Sequence, residues 1–122
     1  MFAIEIADHF RAAHQLLLPD GSFEPLHEHD WQVLLRVESS RLDAIDTVMD
    51  FHDLAAILRH TIEPLAGRNL GETSVAAEGR NPSAERVAEW IAVQVSARLP
   101  AEVRLSFLRI SEAENCWAIY QP

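Results

Sequence analysis

Leu26-His27-Glu28-His29-Asp30-Trp31 begins the run of alternating residues around which the rest of the chain is organised. Residues 27–38 are predicted to form a β-strand, and positions i and i+2 of a strand share one face of the sheet. His27 and His29 therefore lie on the face of the apolar side chains that follow, which are Trp31, Val33, Leu35 and Val37. Two neutral imidazoles on one face can begin a metal site, although a short His-x-His motif is also common on solvated strand ends.

A third metal ligand is expected from a second strand. Residues 2–7 alternate, and this strand is predicted to continue through Phe10 towards His14. If the two strands form a long antiparallel hairpin, His14 is the best candidate for the third ligand. Three histidines leave the fourth position of a tetrahedral zinc ion open for water or substrate, which is the catalytic arrangement. His9 has odd spacing from His14 and is expected on the opposite face, away from the metal.

The composition limits the functions that the chain can have. Its 122 residues suit one domain, residues 1–122, with a core of its own. The formal net charge is −9 and all ten basic residues are arginine, without a cluster, so no nucleic-acid partner is expected. Because no apolar run approaches a membrane span and residues 1–6 lack a signal-peptide pattern, we expect a cytoplasmic protein without membrane contact. The one cysteine, Cys116, excludes an internal disulfide, and the absence of lysine excludes Schiff-base chemistry.

Two amphipathic helices are predicted after the hairpin. Asp50 is expected to cap the first, whose apolar residues recur at helical spacing until Pro64 disfavours further helix. A loop over residues 65–80 leads to the second helix, for which Asn81 is the predicted cap and Pro82 the first helical residue.

Two shorter strands complete the chain, one from Val103 to Glu112 and one from Asn115 to Tyr120. The predicted order is therefore strand, strand, helix, helix, strand, strand. Segregated elements of this kind predict an α+β fold, in which helices cover one face of a four-stranded antiparallel sheet.

Six stretches of the chain form an ordered set that covers nearly its whole length. They are Phe10-Arg11-Ala12-Ala13-His14, Leu26-His27-Glu28-His29, Val48-Met49-Asp50-Phe51-His52-Asp53-Leu54, Arg68-Asn69-Leu70, Asn81-Pro82-Ser83-Ala84-Glu85, and Glu112 followed six residues later by Ala118-Ile119-Tyr120. Each stretch is a weak signal alone. Together they resemble the 6-pyruvoyltetrahydropterin synthase family, including the bacterial QueD branch (6-carboxytetrahydropterin synthase).

The resemblance implies a fold, a metal and a ligand. It implies the tunnelling fold (T-fold), a four-stranded antiparallel sheet with two helices on one side, and zinc bound by His14, His27 and His29. It also implies that Glu112 holds a pterin ring by accepting hydrogen bonds from its amine and ring N–H groups, with Ser83 as a further pterin contact. The family places its sites between subunits, usually in a hexamer built from two trimers, so a homo-oligomer is expected.

The chain departs from the family pattern at its catalytic groups. Family members typically carry a cysteine shortly before the His-x-His, whereas residues 21–26 contain none. They also carry an Asp-His pair where this chain has Ala66-Gly67, and a glycine where it has Glu28. Cys116 belongs to a different motif and is expected to be a small strand residue.

Glu24 is the candidate that replaces the missing cysteine. One branch of the family resembles this chain in placing a glutamate three residues before the first histidine of the His-x-His, and its product is 6-hydroxymethyl-7,8-dihydropterin, a folate precursor. A carboxylate near a metal-bound diol can act as a base if its surroundings suit proton transfer. A solvated loop residue before Pro25 is the competing interpretation of Glu24.

Two functions from different classes remain open from the sequence. The first is a zinc-dependent carbon–oxygen or carbon–carbon lyase acting on 7,8-dihydroneopterin triphosphate or a related dihydropterin. The second is a non-catalytic paralogue that has lost the cysteine and the Asp-His pair and binds a pterin or purine-like ring beside zinc. The missing Asp-His pair favours this second function, whereas the retention of the three histidines, Glu112 and Glu24 favours the first. A cupin-type barrel is set aside, because Val33 and Leu34 stand where its glutamate is required. The sequence selects neither the substrate nor the folate, biopterin or queuosine pathway, and Arg11, Arg68 and Arg80 are the candidates for phosphate binding.

Overall fold

Four strands form one antiparallel sheet in the order β1-β2-β3-β4, which confirms the predicted α+β architecture. The computed structural model describes residues 1–122. Two helices cover one face of the sheet, and no helix is long and apolar enough to cross a membrane. The elements are β1 (Phe2–His14), β2 (His27–Ser39), α1 (Phe51–Ile62), α2 (Ala84–Ser96), β3 (Arg104–Ala113) and β4 (Cys116–Tyr120).

The core lies between the sheet and the helices. Along β2, the predicted alternation puts Trp31, Val33, Leu35 and Val37 into the interior. Each large apolar side chain buried in this way stabilises the fold by about 1.5–3 kcal/mol, before the entropy of ordering it is subtracted. The helices complete the layer with Leu54, Leu58, Ile62, Val87, Ile91 and Val95.

Helix α1 begins and ends where the sequence predicts. The side chain of Asp50 accepts a hydrogen bond from the His52 N–H at 2.6 Å, and the helix ends at Ile62, two residues before Pro64. This capping satisfies one of the N–H groups that the first turn leaves without an intrahelical partner.

The predicted cap of α2 is wrong. Ser83 is the N-cap, and its hydroxyl accepts a hydrogen bond from the Arg86 N–H at 3.2 Å. Asn81 instead binds the main chain of Leu17, accepting from its N–H at 2.7 Å and donating to its carbonyl at 3.0 Å. The Asn81 side chain therefore bonds to a residue far away in the sequence instead of capping the helix. These bonds join the loop after β1 to the start of α2.

Two other segments differ from prediction. β3 begins at Arg104 and β4 at Cys116, each one residue later than expected. Residues 65–80 contain the short 3-10 segment Leu70–Glu72 and, within Ser74–Gly79, 3-10 turns that non-helical backbone at residues 76–78 interrupts, rather than only an open loop. This region also lies along β1, because the Gly67 N–H donates to the Arg11 carbonyl at 2.7 Å and the Ala13 N–H to the Arg68 carbonyl at 2.8 Å. These bonds close the free edge of β1 near its end.

Candidate active site

Three histidines meet at the end of the β1–β2 hairpin that the loop of residues 15–26 closes. The ladder pairs His14 with His27 and Ala12 with His29, so all three imidazoles lie on the helix-covered face. Ala12 leaves room opposite His29 because it has only a methyl group. One nitrogen from each ring lies within 4.8 Å of the other two, which is close enough for one metal ion to contact all three.

Main-chain carbonyls orient two of the imidazoles. His14 Nδ1 lies 2.8 Å from the Pro82 carbonyl oxygen, and His27 Nδ1 lies 2.7 Å from that of Pro25. A carbonyl oxygen only accepts, so each Nδ1 carries the proton and each Nε2 presents a lone pair. Hydrogen bonds of this kind fix the ring orientation of metal-binding histidines.

The Nε2 atoms of His14 and His29 are buried without a hydrogen-bond partner. A buried polar atom left in this way destabilises a protein by about 1–3 kcal/mol. His14 is only 2% exposed, so water reaches its ring poorly. A metal ion bound by the lone pairs would satisfy both atoms, and the three residues therefore fit a metal.

Trp31 supports two of the three rings from within the core. Its ring meets those of His14 and His29 edge-on, with centroids 4.9 and 5.5 Å away, and its indole N–H donates to the Ala12 carbonyl at 3.0 Å. Burial lowers the pKa of His29 below its usual value, while the charge of Glu112 acts in the opposite direction. The neutral imidazole, which is the form that binds metal, is therefore favoured.

Glu24 lies beside the histidines on the loop between β1 and β2. Its Oε1 is 3.9 Å from His27 Nε2 and accepts a hydrogen bond from the Leu16 N–H at 3.0 Å. The Glu24 N–H in turn donates to the Leu16 carbonyl at 3.0 Å. Two contacts with Leu16 thus hold a partly buried carboxylate next to His27.

Glu112 approaches from β3 on the other side of the site. Its Oε2 lies 3.4 Å from His14 Nε2, and its side chain is about one-third exposed. The pairing of β3 with β4 is irregular between Ile110 and Ala113, immediately around this residue. Glu112 therefore stands at the boundary between the buried His14 ring and the solvent.

Comparisons with known proteins show the family of this chain. The sequence model described as 6-pyruvoyl tetrahydropterin synthase matches residues 3–122. The chain belongs to this family. It is 30% identical over 106 residues to the dihydroneopterin monophosphate aldolase of Pyrococcus furiosus, an alignment that covers 87% of this chain and 85% of the relative.

Solved structures of other members share the fold. The Caenorhabditis elegans 6-pyruvoyl tetrahydropterin synthase has a TM-score of 0.83 at 19% identity, covering 99% of this chain and 95% of its own. A Plasmodium vivax 6-pyruvoyltetrahydropterin synthase has a TM-score of 0.75 at 16% identity, covering 100% and 99%. That structure is of a catalytic-residue variant in which a glutamate is replaced by alanine. The tunnelling fold predicted from the sequence is thus confirmed.

The remaining residues that the sequence singled out make no side-chain hydrogen bond to the three histidines. Ser83 uses its hydroxyl to cap α2, so any pterin contact must share that group. Arg11 is paired with Glu28 and Arg80 with Glu78, whereas Arg68 has no carboxylate partner. Cys116 is exposed on β4 and is not among the residues that approach the histidines.

Sequence reasoning missed the groups that orient the histidines. Proline carbonyls leave no signal in residue type, because every residue carries a carbonyl and only the fold decides where it points. Trp31 was detectable, since alternation puts it on the face of His27 and His29. His9 was placed correctly: it is exposed, and its Nδ1 lies 3.1 Å from Asp30 Oδ1.

Proposed function

We propose that this protein is a zinc-dependent lyase that cleaves a carbon–carbon bond in the side chain of 7,8-dihydroneopterin or one of its phosphates. The product would be 6-hydroxymethyl-7,8-dihydropterin. The observation that carries the proposal is the position of Glu24, a carboxylate held 3.9 Å from His27 at a site where three imidazoles converge. A carboxylate in this position can act as a general base beside a bound metal, in a chain that lacks the family's usual cysteine.

The relatives support an enzyme over a non-catalytic binding module. The Pyrococcus furiosus relative is named as an aldolase acting on dihydroneopterin monophosphate. In the Plasmodium vivax relative a glutamate is a catalytic residue. A carboxylate can thus serve catalysis within this family, and the loss of the cysteine alone does not imply a loss of activity.

Glu112 is proposed to bind the pterin ring. The amine and ring N–H of the pyrimidine edge form a paired donor, and an ionised carboxylate can accept both hydrogen bonds. Binding there would leave the side-chain hydroxyls of the substrate at the histidines and near Glu24. Neutral imidazole nitrogens suit zinc, which would act as a Lewis acid towards those hydroxyl oxygens.

Glu24 is proposed to move one proton twice. It first accepts the proton of the hydroxyl on the second side-chain carbon, and the bond between the first and second carbons breaks. The electron pair moves into the neighbouring C=N bond of the ring, and an aldehyde of two carbons leaves. Glu24 then returns its proton to the first carbon, so that the hydroxymethyl group is formed and the base is regenerated.

The test is a comparison of Glu24→Gln with the parent protein, both loaded with zinc. Turnover of dihydroneopterin and its phosphates is followed by mass spectrometry of the products, and affinity is measured with an unreactive neopterin. If Glu24 is the base, turnover falls by about 100-fold or more while affinity changes little. The control is Glu102→Gln, a change of the same chemistry in the exposed turn before β3.

Three results would revise the proposal. Equal turnover in Glu24→Gln and the parent would remove the base. Pyruvoyl or carboxy products would mean that other groups have replaced the cysteine and the Asp-His pair. Tight pterin binding without turnover of any dihydroneopterin by the parent would instead support the binding module.

A further inference from the structure

We propose that the ion pair between Arg11 and Glu28 makes this site select a dihydroneopterin with no phosphate or one phosphate and discriminate against the triphosphate. The inference rests on the proposed ligand, whose ring is held at Glu112. It gives a role to Glu28, which stands where members of the family usually have glycine.

A cleft separates the end of β3 from the start of β2 beside His29. The two strands pair from Gln32 and Ser111 onwards, so residues 27–31 of β2 have no partner on β3. His29 lies in the wall of this cleft, and its Nε2 is one of the two buried nitrogens without a partner. The charged residues of the cleft are Arg11, Glu28, Asp30, Glu112 and Glu114.

The strand order sets the direction in which the ligand would lie. Glu112 comes from β3, His29 from β2 and Arg11 from β1, and these strands are consecutive in the sheet. Arg11 and Glu28 project from the face of the sheet opposite the histidines, and the gap between β2 and β3 brings Arg11 into one cleft with His29 and Glu112. A ring held at Glu112, with its hydroxyls at the histidines, would direct the end of its side chain through this gap. Phosphates are carried at that end, so they would approach Arg11, which is the one cation in the cleft lining.

Glu28 already occupies the donors of Arg11. Its Oε1 accepts from Arg11 Nη2 at 2.6 Å and from Arg11 Nε at 2.9 Å. Both side chains are at least half exposed, at 63% and 50%, so the pair is weak enough for a phosphate to compete with the carboxylate. With Arg11 neutralised, the remaining carboxylates of the cleft give it a negative charge.

The charge balance then discriminates among phosphates. One phosphate group can share Arg11 with Glu28 by turning an oxygen to the guanidinium, which binds phosphate well. The additional charges of a triphosphate find no further cation in the cleft and are repelled by Asp30, Glu112 and Glu114. The formal net charge of −9 adds to this repulsion.

The test measures binding of neopterin, neopterin monophosphate and neopterin triphosphate to zinc-loaded protein at one fixed ionic strength. We expect the parent to bind the triphosphate at least about 10-fold more weakly than the monophosphate. In Glu28→Gln the freed Arg11 should reduce this ratio by about 2- to 5-fold, since an exposed ion pair contributes no more than this range.

Two variants are matched controls. Glu5 pairs with Arg36 at 3.8 Å elsewhere on the sheet and lies outside the cleft, so Glu5→Gln should leave the ratio unchanged. Arg104 pairs with Glu38 at 2.9 Å and also lies outside the cleft, so Arg104→Gln should leave the ratio unchanged as well.

The results separate this inference from the proposed lyase. Equal affinity of the parent for both phosphates, or an unchanged ratio in Glu28→Gln, overturns the inference and leaves the lyase standing. A complete failure to bind neopterins overturns both. A parent that binds with the expected ratio, responds to Glu28→Gln and turns over no dihydroneopterin overturns the lyase alone.

Discussion

His14 and His27 face each other directly across the β1–β2 ladder, with ring centroids 4.6 Å apart, and each donates its Nδ1 proton to the carbonyl of a proline. Pro25 lies in the loop before β2, and Pro82 lies just before α2. Two distant segments therefore set the same tautomer in both rings, which presents both Nε2 lone pairs for a metal.

The first prediction concerns the metal. The zinc-loaded parent should contain about one zinc ion per chain, with histidine nitrogens about 2.0–2.1 Å from the metal. His29→Ala should weaken zinc binding by more than the roughly 10- to 100-fold that the loss of an orienting partner causes. His52→Ala, which alters a fully exposed histidine, is the control. Elemental analysis and a zinc competition titration would measure this, and a parent without zinc after supplementation would contradict it.

The second prediction concerns Glu112 and the pterin ring. Glu112→Gln keeps the shape of the side chain but presents a donor to N–H groups that need an acceptor. The loss of a charge-assisted hydrogen bond weakens binding by about 1.5–3 kcal/mol, so the affinity for neopterin should fall by about 10- to 100-fold. A fluorescence titration measures this, with Glu102→Gln as the control. Unchanged affinity would remove the pterin contact from Glu112.

The third prediction separates two roles of Ser83. As the N-cap of α2, its replacement by alanine should lower stability by about 1 kcal/mol, whereas glycine at an N-cap costs only a few tenths. If the hydroxyl also touches the pterin, both Ser83→Ala and Ser83→Gly should bind neopterin more weakly. Thermal denaturation and the same titration measure the two effects. Normal neopterin affinity in Ser83→Gly would leave Ser83 with the capping role alone.

The fourth prediction is a homo-oligomer, most simply a hexamer of 13.7-kDa chains built from two trimers. β1 and β4 are the two edges of the sheet, and unpaired strand edges favour pairing between chains. The exposed apolar side chains Phe2 on β1 and Ile119 on β4 lie on these edge strands. Sedimentation equilibrium at micromolar concentration measures the mass, and a monomer there would refute the prediction.

Much of this architecture follows from short-range patterns in the sequence. The period-two alternation of β2 determines that His27, His29 and Trp31 share the buried face, because successive strand side chains point to opposite faces. Asp50 and Pro64 determine the limits of α1 for equally local reasons, a capped first turn and a residue that disfavours the helix before it. The approach of His14 to the other two histidines also follows once β1 and β2 are taken as a hairpin.

Tertiary structure alone decided the contacts between segments far apart in the chain. Asn81 was available to cap α2, but two hydrogen bonds to Leu17 hold it elsewhere and leave Ser83 as the cap. The approach of Glu112 to His14 and the pairing of Arg11 with Glu28 depend on how neighbouring strands align. Local spacing restricts which face a side chain occupies, whereas its partner across the fold depends on register and on competition among hydrogen-bonding groups.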